Sequence, residues 1–404
     1  MPLLKNISIL YTCRPDGGQA SVHPVKNAAL AWSGENIEWA GSESDLPEKY
    51  QQDEIVDAEG AVVVPGFIDC HTHLCFGGWR SDEFEMRVQG ESYLDIAKAG
   101  GGILSTVKAT RKATEDELFE KASELLQKIS KMGVTTIECK SGYGLSIEDE
   151  LKQLRVYKHL KKESKLTIVP TFLGAHTLPP EFKNNRVAYI DLVVNEMIPA
   201  VANENLADFC DVFVEDAAFT IEEARQILET GKQHGLQPKL HADQLTSGGG
   251  AELAAEVQAV SADHLEQISE IGIQKIAETG VVGVTLPIAS LYTQQPYLNC
   301  RRLVDGGVEV AVATDFNPGS APSFDLQLAM MLTCNHGRLT PSESLKAGTY
   351  SAAKALNLHD KTGSLEKGKQ ADFVLLDVPD INFWLYHFNR SAVKSCYVKG
   401  ERLK

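Results

Sequence analysis

The chain has 404 residues, 43% of them hydrophobic and 23% charged, and its formal net charge at pH 7 is −16. This composition is that of a globular protein large enough for one enlarged domain or two. The negative charge disfavours a nucleic acid as partner, because such binding depends on clustered lysine and arginine, and no apolar run approaches the roughly 20 residues that a membrane-spanning helix needs.

The N-terminal segment is short and apolar, and it has neither a basic region nor a small-residue cleavage site. We therefore interpret it as a first strand rather than a secretion signal and expect a cytoplasmic protein. The eight cysteines are scattered without a C-x-x-C pair, which predicts reduced thiols rather than a disulfide framework or a zinc ribbon.

The two ends of the chain predict one small β-structure. Residues 1–60 contain short strand-like segments separated by turns, with a helical segment at 43–52, and the segments 363–378 and 392–403 are of the same kind. We expect the ends to pair in a composite β-sandwich domain of residues 1–60 and 361–404. Residues 61–360 would then form an inserted barrel.

Between these ends, strand-like and helical segments alternate, which predicts parallel βαβ units and the α/β class. We expect helices at 114–133, 146–163, 220–235 and 269–280, the first with a capping box of Thr114 and Glu117 and a stop at Gly133. The pattern predicts a (β/α)8 TIM-like barrel with eight strands at 61–69, 134–140, 166–174, 210–216, 238–243, 259–265, 281–287 and 309–315.

The first of these strands is a buried apolar run that is followed by His71, Thr72 and His73. Successive side chains of a strand alternate between its faces, so an H-x-H pair directs both imidazoles to the same side. The pattern therefore predicts two metal ligands aimed at one point. Cys70 and Cys75 flank the pair, and we interpret both as structural.

Polar residues end three further strands of the predicted barrel. His241 ends the fifth, His264 the sixth and Asp315 the eighth, and the carboxyl ends of barrel strands face one mouth, where the chemistry of such barrels lies. Three imidazoles and a carboxylate with an open position make a catalytic site for zinc or iron. Such a metal lowers the pKa of bound water towards about 7.

Two of these residues have further predicted roles. Asp315 can contact the metal and also accept the proton that water releases on attack. His264 is either a fourth imidazole ligand or a group that holds a substrate carbonyl and the attacking water. We favour the second role.

Seven motifs, in chain order, resemble those of the amidohydrolase superfamily: PGFIDCHTHLCFGGWRSDEF, GGGILSTV, KSGYGL, TFLGAHTLPPE, LHADQ, SADHLE and ATDFNPGSAPS. Within the superfamily they are most similar to the hydrolases of histidine degradation. The resemblance implies that a metal-activated water opens the ring of 4-imidazolone-5-propanoate to give N-formimidoyl-L-glutamate. It also implies an amidohydrolase-type barrel and a homodimer.

The resemblance further implies which residues act. One divalent metal per chain, zinc or iron, would be held by His71, His73, His241 and Asp315. Arg80 matches the position that meets the propanoate, for which a planar guanidinium is well suited. The implied substrate contacts are Arg80, Tyr143, His176, Gln244, Asn317, Gly319 and Ser320, and Tyr93 is a candidate from its neighbourhood alone.

Gln244 follows the fifth-strand histidine by three residues, where related enzymes carry either Glu or Gln. An amide cannot remove a proton, so we expect Gln244 to hydrogen-bond the ring nitrogen or carbonyl. Asp315 and His264 would then share the proton transfers.

Three alternatives remain open. A mononuclear heterocycle aminohydrolase of the cytosine or guanine deaminase kind would use the same metal residues, although Gln244 and Arg80 speak against it. A dinuclear hydantoinase is disfavoured because no lysine ends the fourth strand. An inactive amidohydrolase-fold binding protein is disfavoured because all four metal positions are present.

Overall fold

The computed structural model describes residues 1–50, 54–91, 101–216, 218–388 and 391–403. The strands of this part of the chain are β1 (Pro2–Tyr11), β2 (Pro24–Ser33), β3 (Asn36–Ser42), β4 (Glu54–Asp57), β5 (Val62–Pro65), β6 (Phe67–Asp69), β7 (Val134–Lys140), β8 (Thr167–Ala175), β9 (Phe209–Phe213), β10 (Gln237–Ala242), β11 (Ser261–His264), β12 (Val282–Thr285), β13 (Val310–Val312), β14 (Phe373–Leu376), β15 (Val393–Val398) and β16 (Glu401–Arg402).

Helices connect these strands and cover the parallel ones. Their bounds are Ser81–Val88, Ile103–Lys112, Glu115–Ser130, Ile147–Glu163, Arg186–Leu192, Ile198–Asn203, Ile221–Gln233, Gly250–Glu256, Glu270–Thr279, Pro287–Thr293, Cys300–Asp305, Leu326–Asn335, Pro341–Ala347, Tyr350–Lys354 and Ile381–Tyr386. A π-helical turn lies at Val193–Met197 and 3-10 turns at Glu43–Asp45, Glu48–Tyr50 and Pro180–Phe182. Within the described residues, none of the helices combines the length and apolar character needed to traverse a bilayer.

The strands β6 to β13 form one parallel sheet in which neighbours in the chain are neighbours in space. Its two outer strands meet just beyond their carboxyl ends, because the Asp315 N–H donates to the His71 carbonyl at 3.0 Å and the His73 N–H donates to the Phe316 carbonyl at 2.8 Å. A parallel bridge joins Thr72 to Phe316 between them. The predicted α/β class and the eight parallel barrel strands are therefore confirmed.

The remaining strands form a mixed sheet in the order β16, β15, β14, β5, β1, β2, β3, with β4 beside β1. Both ends of the chain contribute to it, so the predicted composite β-structure is confirmed as one mixed sheet. It has an apolar core of its own, in which Trp32 packs edge-on against Phe373 and Tyr397 at ring distances of 5.2 and 5.6 Å. The division into domains of residues 1–60 with 361–404 and of residues 61–360 remains our proposal.

The run 61–69 is not a single barrel strand as the sequence predicts. Its first half, β5, pairs with β1 and β14 in the mixed sheet, and only β6 belongs to the barrel. The chain changes sheets at Gly66, where a Cβ atom would lie 2.4 Å from the Thr135 side chain. Glycine therefore permits the close crossing over β7, and Pro65 before it cannot donate a ladder hydrogen bond.

Two helical expectations have different outcomes. The helix Glu115–Ser130 begins with the predicted capping box: the Glu117 N–H donates to Thr114 Oγ1 and the Thr114 N–H donates to Glu117 Oε2. The predicted helical segment at 43–52 is not one helix over its described part, 43–50, where two 3-10 turns stand on either side of Pro47; residues 51–52 lie outside the described residues. The residue before a proline is held out of the helical region, and Leu46 is extended at ψ 120°.

Candidate metal centre and active site

The sequence argument treats His71 and His73 as a continuation of the first strand, with alternating side chains. In the structure both lie just beyond the end of β6. Their Nε2 atoms nevertheless point to the same carboxylate, at 3.5 Å and 3.4 Å from Asp315 Oδ1. Asp69 anchors this closure, because its carboxylate accepts hydrogen bonds from the N–H and the hydroxyl of Thr314 at 3.0 and 2.6 Å. The junction between the first and last barrel strands therefore sets the convergence of the pair.

His241, within β10, and His264, the last residue of β11, complete the cluster. The imidazole of His71 lies 4.5 Å from that of His241 and 5.8 Å from that of His264, between ring centroids. Two sets of possible ligand atoms, His71 with His241 and His264, and His71 with His73 and Asp315, each lie within 4.8 Å of one another. The structure thus brings together all five residues that the sequence places at the strand ends.

Two of these residues have backbones in the left-handed region. The φ angle is 81° at His264 and 56° at Asp315, a conformation that costs a side-chain-bearing residue about 1–3 kcal/mol and tends to occur at functional sites. Both are buried. The fold therefore holds the two candidate proton-transfer groups in conformations that neither would adopt by preference.

Carboxylates on other barrel strands hold two of the imidazoles. His71 Nδ1 lies 2.6 Å from Asp263 Oδ2, and His241 Nδ1 lies 3.1 Å from Asp211 Oδ1. A carboxylate at Nδ1 keeps the proton on that nitrogen and leaves Nε2 with a lone pair. The sequence analysis missed both aspartates, although a carboxylate within a fully buried parallel strand is a detectable signal.

The residues fit a bound divalent cation. The Nε2 atoms of His71 and His241 are buried and have no hydrogen-bond partner among the described residues, a state that would be costly unless a ligand completes it. Burial lowers the pKa of His71 well below its ordinary value, so this imidazole is neutral, as a metal ligand must be. The donor set of imidazoles and a carboxylate suits zinc or iron.

Asp315 and His264 are tuned in opposite directions. Burial by itself would raise the pKa of Asp315, but the hydrogen bond and charge of His73 bring it below its ordinary value. Burial would lower the pKa of His264, but Glu266, whose Oε2 lies 3.7 Å from its Nδ1, raises it. The centre thus pairs a carboxylate whose ionised form is favoured with an imidazole whose protonated form is favoured.

Tyr143 and His176 stand beside the cluster, as predicted. The imidazole of His176 stacks on that of His73 at 5.1 Å, and the Tyr143 ring lies 5.8 Å from His73 and 5.4 Å from His176. Glu150 fixes the loop that carries Tyr143, because its carboxylate accepts the N–H groups of Gly144 and Leu145 at 2.9 and 2.8 Å. The two aromatic rings therefore have set positions at the mouth.

Arg80 lies against the loop that follows Asp315. Its Nε and Nη2 donate to Glu83 Oε2 at 2.9 and 2.7 Å, which leaves Nη1 as the outer edge of the guanidinium. A Cβ atom on Gly319 would come within 1.9 Å of this Nη1. Glycine is therefore needed at position 319 for Arg80 to occupy its place.

Asn317 has a different arrangement from the predicted one. Its Nδ2 donates to the Asp315 carbonyl at 2.7 Å and to Ser320 Oγ at 2.9 Å, while its Oδ1 accepts the N–H groups of Gly319 and Ser320 at 2.8 Å each. The amide is thus engaged within its own loop. Its observed contacts hold the loop at Asp315.

Gln244 is half-buried in the loop after β10, where it makes no hydrogen bond to any residue that the structure describes. Asp243 holds that loop, because its carboxylate accepts the N–H groups of Gly248, Gly249 and Gly250 at 3.0 to 3.1 Å. Tyr93 lies outside the described residues.

Comparison with known proteins agrees with this arrangement. The sequence profile of the Amidohydrolase family matches residues 62–403. The imidazolonepropionase of Thermoanaerobacter pseudethanolicus is 45% identical to this chain over 398 residues, which are 97% of this chain and 95% of that protein. The imidazolonepropionase of Geobacillus thermodenitrificans is 48% identical over 350 residues, which are 87% of this chain and 82% of that protein.

More distant solved structures share the fold. An adenosine deaminase from Xanthomonas campestris with bound zinc superimposes with a TM-score of 0.74 at 18% identity, and the match covers 99% of this chain and 92% of the deaminase. At that identity the likeness concerns the fold and not the reaction.

Proposed function

This chain belongs to the amidohydrolase family and, within it, to the imidazolonepropionases, and from this premise we infer that it hydrolyses 4-imidazolone-5-propanoate to N-formimidoyl-L-glutamate. The observation that carries this inference is the high identity to imidazolonepropionases along nearly the whole chain. The heterocycle aminohydrolase and the inactive binding protein, which the sequence leaves open, have no comparable support.

We propose that His71, His73, His241 and Asp315 hold one divalent metal per chain, zinc or iron. The support is that the buried Nε2 atoms of His71 and His241 make no hydrogen bond to the described residues and that the Nε2 atoms of His71 and His73 lie 3.5 and 3.4 Å from Asp315 Oδ1. When bound, such a cation lowers the pKa of a coordinated water towards about 7 and polarises a carbonyl oxygen.

The two tuned groups divide the proton transfers. Asp315 takes the proton that water loses as its oxygen attacks the ring carbonyl carbon, and His264 donates a hydrogen bond to the developing oxyanion. As the ring C–N bond breaks, the leaving nitrogen receives the proton from Asp315. Glu266 supports this assignment, because it raises the pKa of His264 and so favours the protonated imidazole.

The proposed substrate contacts are Arg80, Tyr143, His176, Gln244, Asn317, Gly319 and Ser320. Tyr143 and His176 border the ring of the substrate, and Gln244 hydrogen-bonds its nitrogen or carbonyl. The contacts of Asn317 and Gly319 support an indirect part for both, since they shape the loop on which Arg80 rests. We also propose a cytoplasmic homodimer.

Replacement of Arg80 by alanine is expected to lower kcat/KM by about 10²- to 10³-fold, mainly through KM. Truncating one partner of a desolvated charge pair costs roughly 2–5 kcal/mol, and the propanoate would lose its cation. Steady-state kinetics on 4-imidazolone-5-propanoate measure this. Arg80→Lys, which keeps the charge without the planar fork, should recover only part of the loss; a KM within twofold of the wild type in Arg80→Ala contradicts the assignment.

Replacement of Gln244 by glutamate is expected to leave activity within about tenfold of the wild type and to shift the acidic limb of its pH profile. The new carboxyl is isosteric, and it introduces an ionisation that the amide lacks. The pH dependence of kcat/KM measures this, with the exposed Gln274→Glu as control. A folded but inactive variant would show that the amide itself is required.

The test of the proposed function is hydrolysis of freshly prepared 4-imidazolone-5-propanoate, followed by the loss of its ultraviolet absorbance, with metal analysis on the same sample. Turnover with about one metal per chain supports the reaction and the metal proposal together. If metal is bound and the substrate is untouched while a heterocycle releases ammonia, the deaminase alternative is correct.

A further inference from the structure

Lys140, the last residue of β7, has no solvent exposure and ends beneath the candidate metal centre. Its Nζ lies 2.7 Å from Glu138 Oε1, 2.7 Å from Asp211 Oδ2 and 3.7 Å from Asp263 Oδ2. Burial by itself would lower the pKa of Lys140, but these carboxylates raise it above its ordinary value. A single buried ammonium therefore pairs with carboxylates from three strands.

Two of these carboxylates are the ones that hold imidazoles. Asp211 contacts Lys140 through Oδ2 and His241 Nδ1 through Oδ1, and Asp263 Oδ2 lies between Lys140 and His71 Nδ1. The contacts form two arms that start from one ammonium. Each arm ends on an imidazole whose buried Nε2 has no hydrogen-bond partner among the described residues.

We propose that Lys140 is a positioning residue of the metal centre, which fixes Asp211 and Asp263 and through them the orientation and tautomer of His241 and His71. The proposal rests on the metal site proposed above, but it does not depend on the identity of the substrate. The sequence analysis assigns no role to Lys140, although it is the first residue of the KSGYGL motif.

The charge of Lys140 has a second effect of opposite sign. A buried cation near the centre repels a metal ion, so if repulsion dominated, removing the ammonium would tighten metal binding. If positioning dominates, removing it leaves Asp211 and Asp263 without their shared partner, and metal binding weakens. The observed contacts favour positioning, because Lys140 Nζ and His241 Nδ1 bind the two different oxygens of the Asp211 carboxylate, so the ammonium fixes the oxygen that faces His241.

The experiment compares zinc affinity in the wild type, Lys140→Met, Asp211→Asn and the double variant. Each is loaded with zinc and titrated with a competing chromophoric chelator at fixed pH. Lys140→Met should weaken zinc binding by about 10- to 100-fold, the usual cost of losing a group that orients a metal ligand. The double variant should weaken zinc binding by less than the sum of the two single free-energy changes, since Lys140 acts partly through Asp211 and partly through Asp263.

Lys346→Met is the matched control. Lys346 is also buried, at 2% exposure, but its Nζ donates to the carbonyls of Gly18 and Ser21 at 2.7 and 3.2 Å, and it forms no ion pair with the described residues. Its loss should lower the thermal midpoint and leave zinc affinity unchanged. The visible spectrum of the cobalt-substituted proteins, which reports ligand geometry, should change in Lys140→Met and not in Lys346→Met.

Unchanged or tighter zinc binding in folded Lys140→Met overturns the proposal, and so does strict additivity in the double variant. If Lys140→Met does not fold, Lys140→Gln takes its place, because an amide is polar enough to be buried beside these carboxylates but is uncharged and one bond shorter than lysine, so it cannot pair with all three. Unchanged zinc affinity in Lys140→Gln overturns the proposal equally. If the wild type itself binds no zinc, the metal proposal fails instead, so the two failures are distinguishable.

Discussion

Replacement of His241 by alanine is expected to remove the metal and to lower kcat/KM by at least about 10⁴-fold. The variant loses one of the four proposed ligands while the Asp211 carboxylate beneath it remains. Without the metal, the pKa of the attacking water returns from about 7 to 15.7, so very little hydroxide remains at neutral pH. Metal content and the loss of substrate absorbance, measured on one preparation, test this result.

The matched control is His234→Ala, since His234 is exposed at a helix end and its Nδ1 contacts only the Thr230 carbonyl. This variant should keep both metal and rate within twofold of the wild type. A His241→Ala protein that retains one metal per chain and a normal rate would refute the proposed ligand set, and the remaining residues of the cluster would need new roles.

Replacement of Asp315 by asparagine is expected to lower kcat by about 10⁴-fold at full metal occupancy. The amide has the same shape, and the backbone N–H of residue 315 can still donate to the His71 carbonyl. It cannot accept the proton of the attacking water or return it to the leaving nitrogen, a contribution of typically 10²- to 10⁴-fold. The asparagine amide also lacks the negative charge that the aspartate would present to a bound metal.

The kinetics are measured at saturating zinc, so that weaker metal binding is separated from lost proton transfer. Asp305→Asn is the control, because Asp305 is exposed and forms an ion pair with Arg301, whose Nη1 lies 3.6 Å from Asp305 Oδ1. It should leave kcat within twofold. A fall of less than tenfold in Asp315→Asn at full occupancy would move the base role to another residue, with His264 the next candidate.

Much of the architecture could be predicted from the sequence because its signals are local. Alternating apolar strands and amphipathic helices indicate βαβ units wherever they occur, and the capping box of Thr114 and Glu117 involves residues three apart. The single strand predicted at 61–69 was an exception, because the structure divides it into β5 and β6. Its apolar run is continuous, and only the close approach of Thr135 to Gly66 divides it between two sheets.

The candidate site was predictable to the same degree and for a related reason. The carboxyl ends of parallel barrel strands meet at one mouth, so histidines at strand ends converge whatever the details of packing. The parts of Asn317 and Glu83 were not predictable, because an amide or a carboxylate near a site has several possible partners. In the folded chain, Asn317 hydrogen-bonds within its own loop, and Glu83 accepts hydrogen bonds from the guanidinium of Arg80.

By itself, the sequence determined the chemical identity of the donors, the order of the strands and the mouth at which His71, His241 and Asp315 meet. Only the tertiary structure decided what lies beneath them. The register of neighbouring strands sets His241 beside Asp263 and Lys239 beside Asp211, and it brings Lys140 of a third strand between the two aspartates. The contacts of Lys140 with Asp211 and Asp263 join residues about 70 and 120 positions apart, and no local pattern predicts them because inter-strand register is a property of the closed barrel.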